Sequence, residues 1–270
     1  MTTTTVPSPA LSEALSYGAA FAEFYDQNLT NFVRSVAAPI CGVLAGRSGI
    51  GNGQWVVDLG CGTGVLASAL LRQGWRVACI DRSPAMLDIA GARLREAIQI
   101  GDAVLVEGDI ASFALPGEVG EVVAVTATDG VLGHLLEVDR FRQVFDWVGA
   151  RLVPGGVFIF DLYTLRSLFE FNNVYVFDTA DELIVGRGLF DSAGGVATMV
   201  LSGCVPADPT VASNWARFNE VIRARHWEED VVGEVLSSRG LGLAPATPES
   251  IHLCEAVSEL ERRQYIVEKP

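Results

Sequence analysis

Apolar positions along the chain follow two rhythms. Short runs rich in Val and Ile at residues 54–59, 76–81, 103–107, 121–126, 156–161 and 263–268 read as strands. Between them the apolar spacing turns helical. Residues 65–73 form one such segment, and Ser83 before Pro84 supplies an N-cap and a first-turn residue for a helix running to about Arg95. A further helix carries Val138, Phe141, Val144, Phe145 and Val148 on one face and is expected to stop at Pro154-Gly155-Gly156; another covers 228–239 and stops at Gly240. Strand alternating with helix predicts an α/β fold, a mostly parallel sheet with helices on both faces. Ligands of such sheets collect at the carboxyl ends of the strands.

Two segments break the alternation. Residues 11–44 read as one or two amphipathic helices carrying Tyr17, Phe21, Phe24 and Tyr25, placed to cover the strand ends. From about 173 to 227 the period falls to two: Leu183, Val185, Arg187 and Leu189 alternate, a DSAGG turn follows, and Thr198, Val200 and Ser202 alternate again. This predicts a small antiparallel insert. On its last strand Trp215, Arg217, Asn219, Arg223 and Arg225 share one face, which would hold an anionic or aromatic ligand if it looks inward and is a solvated face otherwise. The expected division is a disordered tail at 1–10, a helical cover at 11–53, a ligand-binding core at 54–172, the insert at 173–227 and completion of the core at 228–270.

With 270 residues, half of them hydrophobic, the chain suits one folding unit. No apolar stretch approaches the roughly 20 residues that span a bilayer, and the start MTTTTVPSPA lacks the features of a signal peptide. A cytoplasmic protein without a membrane partner is expected. The five cysteines are scattered, with no C-x-x-C pair and no His at ligand spacing, so reduced thiols and no metal are expected. A formal charge of −14 and the lack of a basic run argue against nucleic acid.

The chemistry concentrates in VVDLGCGTG, residues 56–64. Its glycines let the backbone approach a ligand and aim the next helix's N-terminus at it. Spacing alone does not choose the ligand, because Gly62, Gly64 and Ala67 also satisfy the dinucleotide pattern, with Asp81 where NAD ribose would be held. Three acids at successive strand ends discriminate better. Asp58 can face an ammonium group, which NAD lacks; Asp81 can take both ribose hydroxyls; Asp109 can accept from an adenine amino group while the Ile110 amide reaches a ring nitrogen.

On these residues the chain resembles class I S-adenosylmethionine-dependent methyltransferases over about residues 54–161, through VVDLGCGTG, ACIDRSPAMLDIA, VEGDIASF and LVPGGVFIFD. The ending ERRQYIVEKP looks like that family's reversed seventh strand, which implies a Rossmann-like seven-stranded, mostly parallel sheet. Within the family, YGAAFAEFYD and the late insert resemble the small-molecule branch of amino-sugar and glycine-type N-methyltransferases. The resemblance implies S-adenosyl-L-methionine as methyl donor, S-adenosyl-L-homocysteine as product and a small-molecule acceptor, in specialised biosynthesis, with a homodimer as the assembly to test. It implies a cofactor site of Tyr17, Asp58, Gly60, Cys61, Gly62, Gly64, Asp81, Arg82, Met86, Asp109, Ile110 and Thr126. An acceptor side of Tyr25, Tyr163, Trp215 and Arg217 goes with it.

For catalysis, TDGVLGHLL places Asp129 and His134 after the fourth strand. His134 is the candidate general base, or else a packing residue at the next helix; Asp129 would orient the acceptor, or serve only as half of an Asp-Gly turn. Cys61 has no base indicated nearby and reads as a small loop residue. N-methylation is preferred to O-methylation. The alternative is a cyclase or rearrangement enzyme that uses bound S-adenosylmethionine without transferring methyl. An NAD-dependent reductase is disfavoured by Asp58, Asp109 and the lack of a Tyr-x-x-x-Lys pair.

Overall fold

The Val-rich run before the glycines forms β1 (Trp55–Leu59), with all five residues buried. β-branched residues suit it because a central parallel strand is covered on both faces. In this computed structural model, which describes residues 17–47, 49, 51–179, 182–206, 215–258 and 262–270, β1 opens a seven-stranded sheet. Its other strands are β2 (Arg76–Asp81), β3 (Ala103–Glu107), β4 (Val122–Ala127), β5 (Leu152–Tyr163), β10 (Gly242–Leu243) and β11 (Arg262–Glu268). The order is β10-β11-β5-β4-β1-β2-β3. β11 runs antiparallel to β5 and β10 antiparallel to β11, while the rest are parallel. The predicted tail at 1–10 and the first residues of the cover, 11–16, lie outside the described residues, as do 207–214 of the insert.

Helices sandwich the sheet according to strand alternation. Val56, Val77, Ala124 and Ile159 face α2 (Asn31–Ala45), α3 (Val65–Arg72) and α9 (Pro248–Ser258). Val57, Ile80, Val125 and Phe158 face α6 (Val138–Arg151) and α8 (Glu229–Ser237), where Phe141, Phe145 and Val235 are fully buried. None of the described helices is long and apolar enough to cross a membrane.

Several boundaries differ from the sequence expectation. The helix expected to run to Arg95 is two, α4 (Pro84–Arg93) and α5 (Arg95–Ile100), because the backbone leaves helical geometry at Leu94. Pro154-Gly155-Gly156 does not stop α6; the chain is already extended at Leu152, and the triplet makes the register shift at the start of β5. The cover also divides. α1 (Ala19–Asn28) joins the insert, whereas α2 packs into the main core, with Phe32 at its start against Arg262.

After the short helix α7 (Leu165–Glu170), the insert is a four-stranded antiparallel sheet of β6 (Val174–Asp178), β7 (Leu183–Asp191), β8 (Val196–Pro206) and β9 (Trp215–Arg225). One of its faces turns toward α1. Ile184, Leu201, Val205 and Phe218 pack on Phe21, Phe24 and Met86, while Leu183 and Leu189 are exposed.

Candidate active site

From the centre of the sheet the connections run outward in opposite directions, β1 to β2 and β4 to β5, which opens a crevice at their carboxyl ends. The glycine turn fills its floor. Gly60 has φ 66°, and a Cβ there would lie 2.6 Å from Val131 Cγ2. Gly64, at φ 77°, is the N-cap of α3 and turns that helix's free amides toward the crevice. This is a cradle that larger residues would fill.

Three carboxylates border it. Asp58 is buried and its Oδ1 accepts from the Thr126 hydroxyl at 2.7 Å; burial pushes its carboxyl up to about 7 despite that bond. Asp81 accepts from the Ser83 amide at 2.9 Å and the Gly62 amide at 2.8 Å. Burial raises its carboxyl, with those two bonds opposing. Asp109 is half-buried. Burial alone would raise it, but an ion pair to Arg140 and the Ala111 amide outweigh burial and hold it below the usual carboxylate value.

A second cluster lies at the ends of β4 and β5. Asp129 is held in left-handed backbone geometry at φ 66°. Its amide and that of Gly130 both donate to the buried Asp161 at 2.8 Å. Arg262 bridges the two acids, 3.0 Å from Asp161 Oδ2 and 3.2 Å from Asp129 Oδ1, with its guanidinium 3.7 Å from the Tyr163 ring centre. The Tyr25 hydroxyl donates to Asp129 Oδ2 at 3.0 Å. Burial lifts Asp161 to about 6, with Arg262 pulling it back, and lifts Tyr163 to about 12. Asp129 is raised for the same reason and opposed by the same arginine.

His134 closes this side. It ends the single 3-10 turn Val131–His134, and its Nδ1 lies 2.7 Å from the Arg223 carbonyl. A carbonyl only accepts, so Nδ1 carries the proton and Nε2 keeps its lone pair. Burial depresses the imidazole to about 4, which leaves it neutral at physiological pH.

α1 lies over the glycine turn. Asp26 takes both oxygens to Arg93 at 2.9 Å and accepts from the Thr63 hydroxyl at 2.6 Å. The Tyr25 ring sits beside Gly62. Tyr17 stacks on Phe21 with ring centres 5.0 Å apart, and burial raises its phenol well above the ordinary value, helped by the neighbouring Tyr163.

Residues 56–156 match the family described as methyltransferase domain. Magnesium-protoporphyrin O-methyltransferase of Rhodobacter capsulatus is 41% identical over 130 residues, 45% of this chain and 55% of the relative. The chain spans 38% to 62% of the lengths of the curated relatives it matches. Among solved structures, an S-adenosylmethionine-dependent methyltransferase of Clostridium acetobutylicum superposes with a TM-score of 0.74 at 21% identity, covering 92% of this chain and 97% of its own. A sugar N-methyltransferase of a Streptoalloteichus species gives 0.70 at 17%, covering 100% and 99%. Over nearly its whole length the chain shares the fold of that solved S-adenosylmethionine-dependent methyltransferase.

Within the matched residues, Asp58, Gly60, Gly62, Gly64, Asp81 and Thr126 meet in one crevice, with Asp109 and Ile110 at its rim. Arg82 is exposed beside it, and its charge reaches Asp81 and Asp109. Met86 is buried in the apolar seam between α1 and the insert, together with Tyr17 and Tyr25. Two expected site residues face away from the crevice. Trp215 and Arg217 point outward, Trp215 being 45% exposed, because β9 turns Phe218 and Glu220 inward instead. Cys61 is buried beside Cys79, whose contact, with burial, pushes its thiol well above the ordinary value. This is not the electropositive setting that makes a reactive thiolate.

Asp161, Arg262 and Asp26 were not anticipated by sequence reasoning. Asp161 had a signal, since it closes the apolar run of LVPGGVFIFD as Asp81 closes that of ACID. Arg262 had none, because only the reversed β11 brings it back to β5.

Proposed function

We propose that the chain is an S-adenosylmethionine-dependent methyltransferase acting on a small metabolite, with N-methylation of an amine as its reaction. The observation that carries the cofactor assignment is the acid set Asp58, Asp81 and Asp109 around a turn whose glycines all have positive φ and which has no room for a side chain at Gly60. Asp58 would face the amino group, Asp81 the ribose hydroxyls and Asp109 the adenine. The cofactor supplies a methyl group on an activated sulfonium, so the chain's task is alignment and exclusion of water. Tyr17 and Tyr25 close the crevice, and Asp129 and Tyr163 orient the acceptor.

N-methylation is favoured over O-methylation by His134. At about 4 it is too weak a base to ionise an alcohol, whereas a neutral amine needs only its lone pair aimed at the methyl carbon. Nε2 would accept the amine N–H and set that aim. Calorimetric titration with S-adenosylmethionine and S-adenosylhomocysteine tests the proposal. Binding of neither would sink it.

Replacing His134 by alanine is expected to lower kcat about 10-fold to 100-fold, with cofactor affinity little changed. Full turnover in the variant would remove His134 from the mechanism. The Asp58 carboxyl also makes cofactor binding pH-dependent. Below about 7 the free protein holds a proton on Asp58 that a cationic ligand must displace, so affinity should fall as pH drops from 7.5 to 5.5. Calorimetry across that range should show the fall in the wild type and a flatter profile in Asp58→Asn.

A further inference from the structure

Glu220 on β9 ties the insert to the chain leading into α1. It is 8% exposed and lies between Phe218 and Ile222 on the inward face. Its two oxygens accept from successive backbone amides at the start of α1, Tyr17 at 2.7 Å to Oε2 and Gly18 at 3.2 Å to Oε1. Tyr17 is the one described residue besides Asp129 that is not glycine and has a positive φ, at 79°. Such a backbone is strained and persists only when its surroundings hold it.

Both sides of Tyr17 are held. On one side its amide meets Glu220, and on the other its carbonyl accepts from the Ser83 hydroxyl at 2.8 Å. The Ser83 amide in turn donates to Asp81 Oδ1, while Asp81 Oδ2 accepts from the Gly62 amide. A continuous hydrogen-bonded path therefore runs from the insert to the glycine turn: Glu220, Tyr17, Ser83, Asp81, Gly62. Apolar contact parallels it, with Phe218 5.4 Å from Phe21 and 5.5 Å from Phe24, ring centre to ring centre. A carboxylate at the N-terminal end of a helix is also favoured by the free amides and the dipole there.

We infer that Glu220 is the positioning residue that latches Tyr17 and α1 over the cofactor crevice. The role rests on the cofactor reading above. A buried carboxylate filling space in the insert would need no particular partner at Tyr17. The latch needs two acceptor oxygens, and its loss should be felt at α1 and Asp81 rather than through the insert.

The test uses the full chain with Glu220→Ala and the equally large Glu220→Gln, which retains one acceptor oxygen. Hydrogen exchange followed by mass spectrometry should show faster exchange confined to the start of α1 in both variants, with Gln intermediate. S-adenosylhomocysteine should dissociate on the order of tenfold faster from Glu220→Ala, as for loss of hydrogen bonds to a charged group. The KM for S-adenosylmethionine should rise with kcat little changed. If Glu220→Ala does not fold, Glu220→Gln carries the comparison at an unchanged melting temperature. A Gln variant identical to wild type in α1 exchange and product release overturns the latch. If the wild type binds neither ligand, the cofactor reading falls, and the exchange measurement alone decides whether Glu220 holds α1.

Discussion

Replacing Arg262 by alanine is expected to lower folding stability by about 3–5 kcal/mol, the range for breaking a buried ion pair from one side. Its guanidinium side chain is 11% exposed and bonds Asp161, which is fully buried, and Asp129, which is 22% exposed. Removing it leaves two acids of like charge facing each other with no cation. The loss should depend on pH with a definite sign. Asp161 already titrates at about 6 in the folded protein, above the unfolded carboxylate value, and without Arg262 it rises further. Acidification from 7 toward 5 protonates it in the folded state first, so the deficit of the variant should shrink over that range. Urea unfolding of wild type and Arg262→Ala at pH 7 and pH 5 measures it. Adding Asp161→Asn to Arg262→Ala should recover part of the loss, because the asparagine keeps an acceptor for the loop amides but no charge. A variant as stable as wild type at both pH values would show that the cluster is solvated.

Replacing Asp81 by alanine is expected to weaken S-adenosylmethionine binding by about 100-fold or more, the equivalent of losing two hydrogen bonds to a charged acceptor. Two effects add. The proposed bonds to the ribose hydroxyls go, and so does the carboxylate that fixes the Gly62 and Ser83 amides. Asp81→Asn separates them, since one amide can still be accepted, and should fall between. Calorimetric titration of the three proteins is the measurement. Unchanged affinity in Asp81→Ala would move the ribose elsewhere in the crevice.

The parallel core was legible because β1 and β2 are buried on two faces and must be apolar along their whole length, while the acids at or next to their ends are conspicuous against it. Strand 76–81 coincides with the structure for that reason; 103–107 coincides too, although β3 is an edge strand in which only Ala103 is buried. The insert was legible as strands but not in orientation. Its apolar alternation is weak on both faces: Leu183 and Leu189 face out, and Ile184 and Gly186 face in. A period of two has no sign until a partner surface supplies one. The partner is α1, distant in the chain and joined through Phe21, Phe24 and Phe218.

The candidate site divides along the same line. Asp58, Gly60, Gly62, Gly64 and Asp81 lie within one strand-turn-helix-strand unit, so their convergence is local and the sequence alone determined it. With them it determined the α/β architecture and the crevice at the strand ends. The tertiary structure decided which acids are paired and which way each titrates. Asp109 takes Arg140 from α6 and stays low, while Asp129 and Asp161 share Arg262 from the last strand. It also decided that His134 is neutral and weakly basic, that Trp215 and Arg217 face outward, and that Glu220 bonds the chain leading into α1. Periodicity and turn chemistry act over a few residues and can be read along the chain. Burial and pairing of charge depend on neighbours up to about 200 positions away, as between Tyr17 and Glu220, and only folding brings those together.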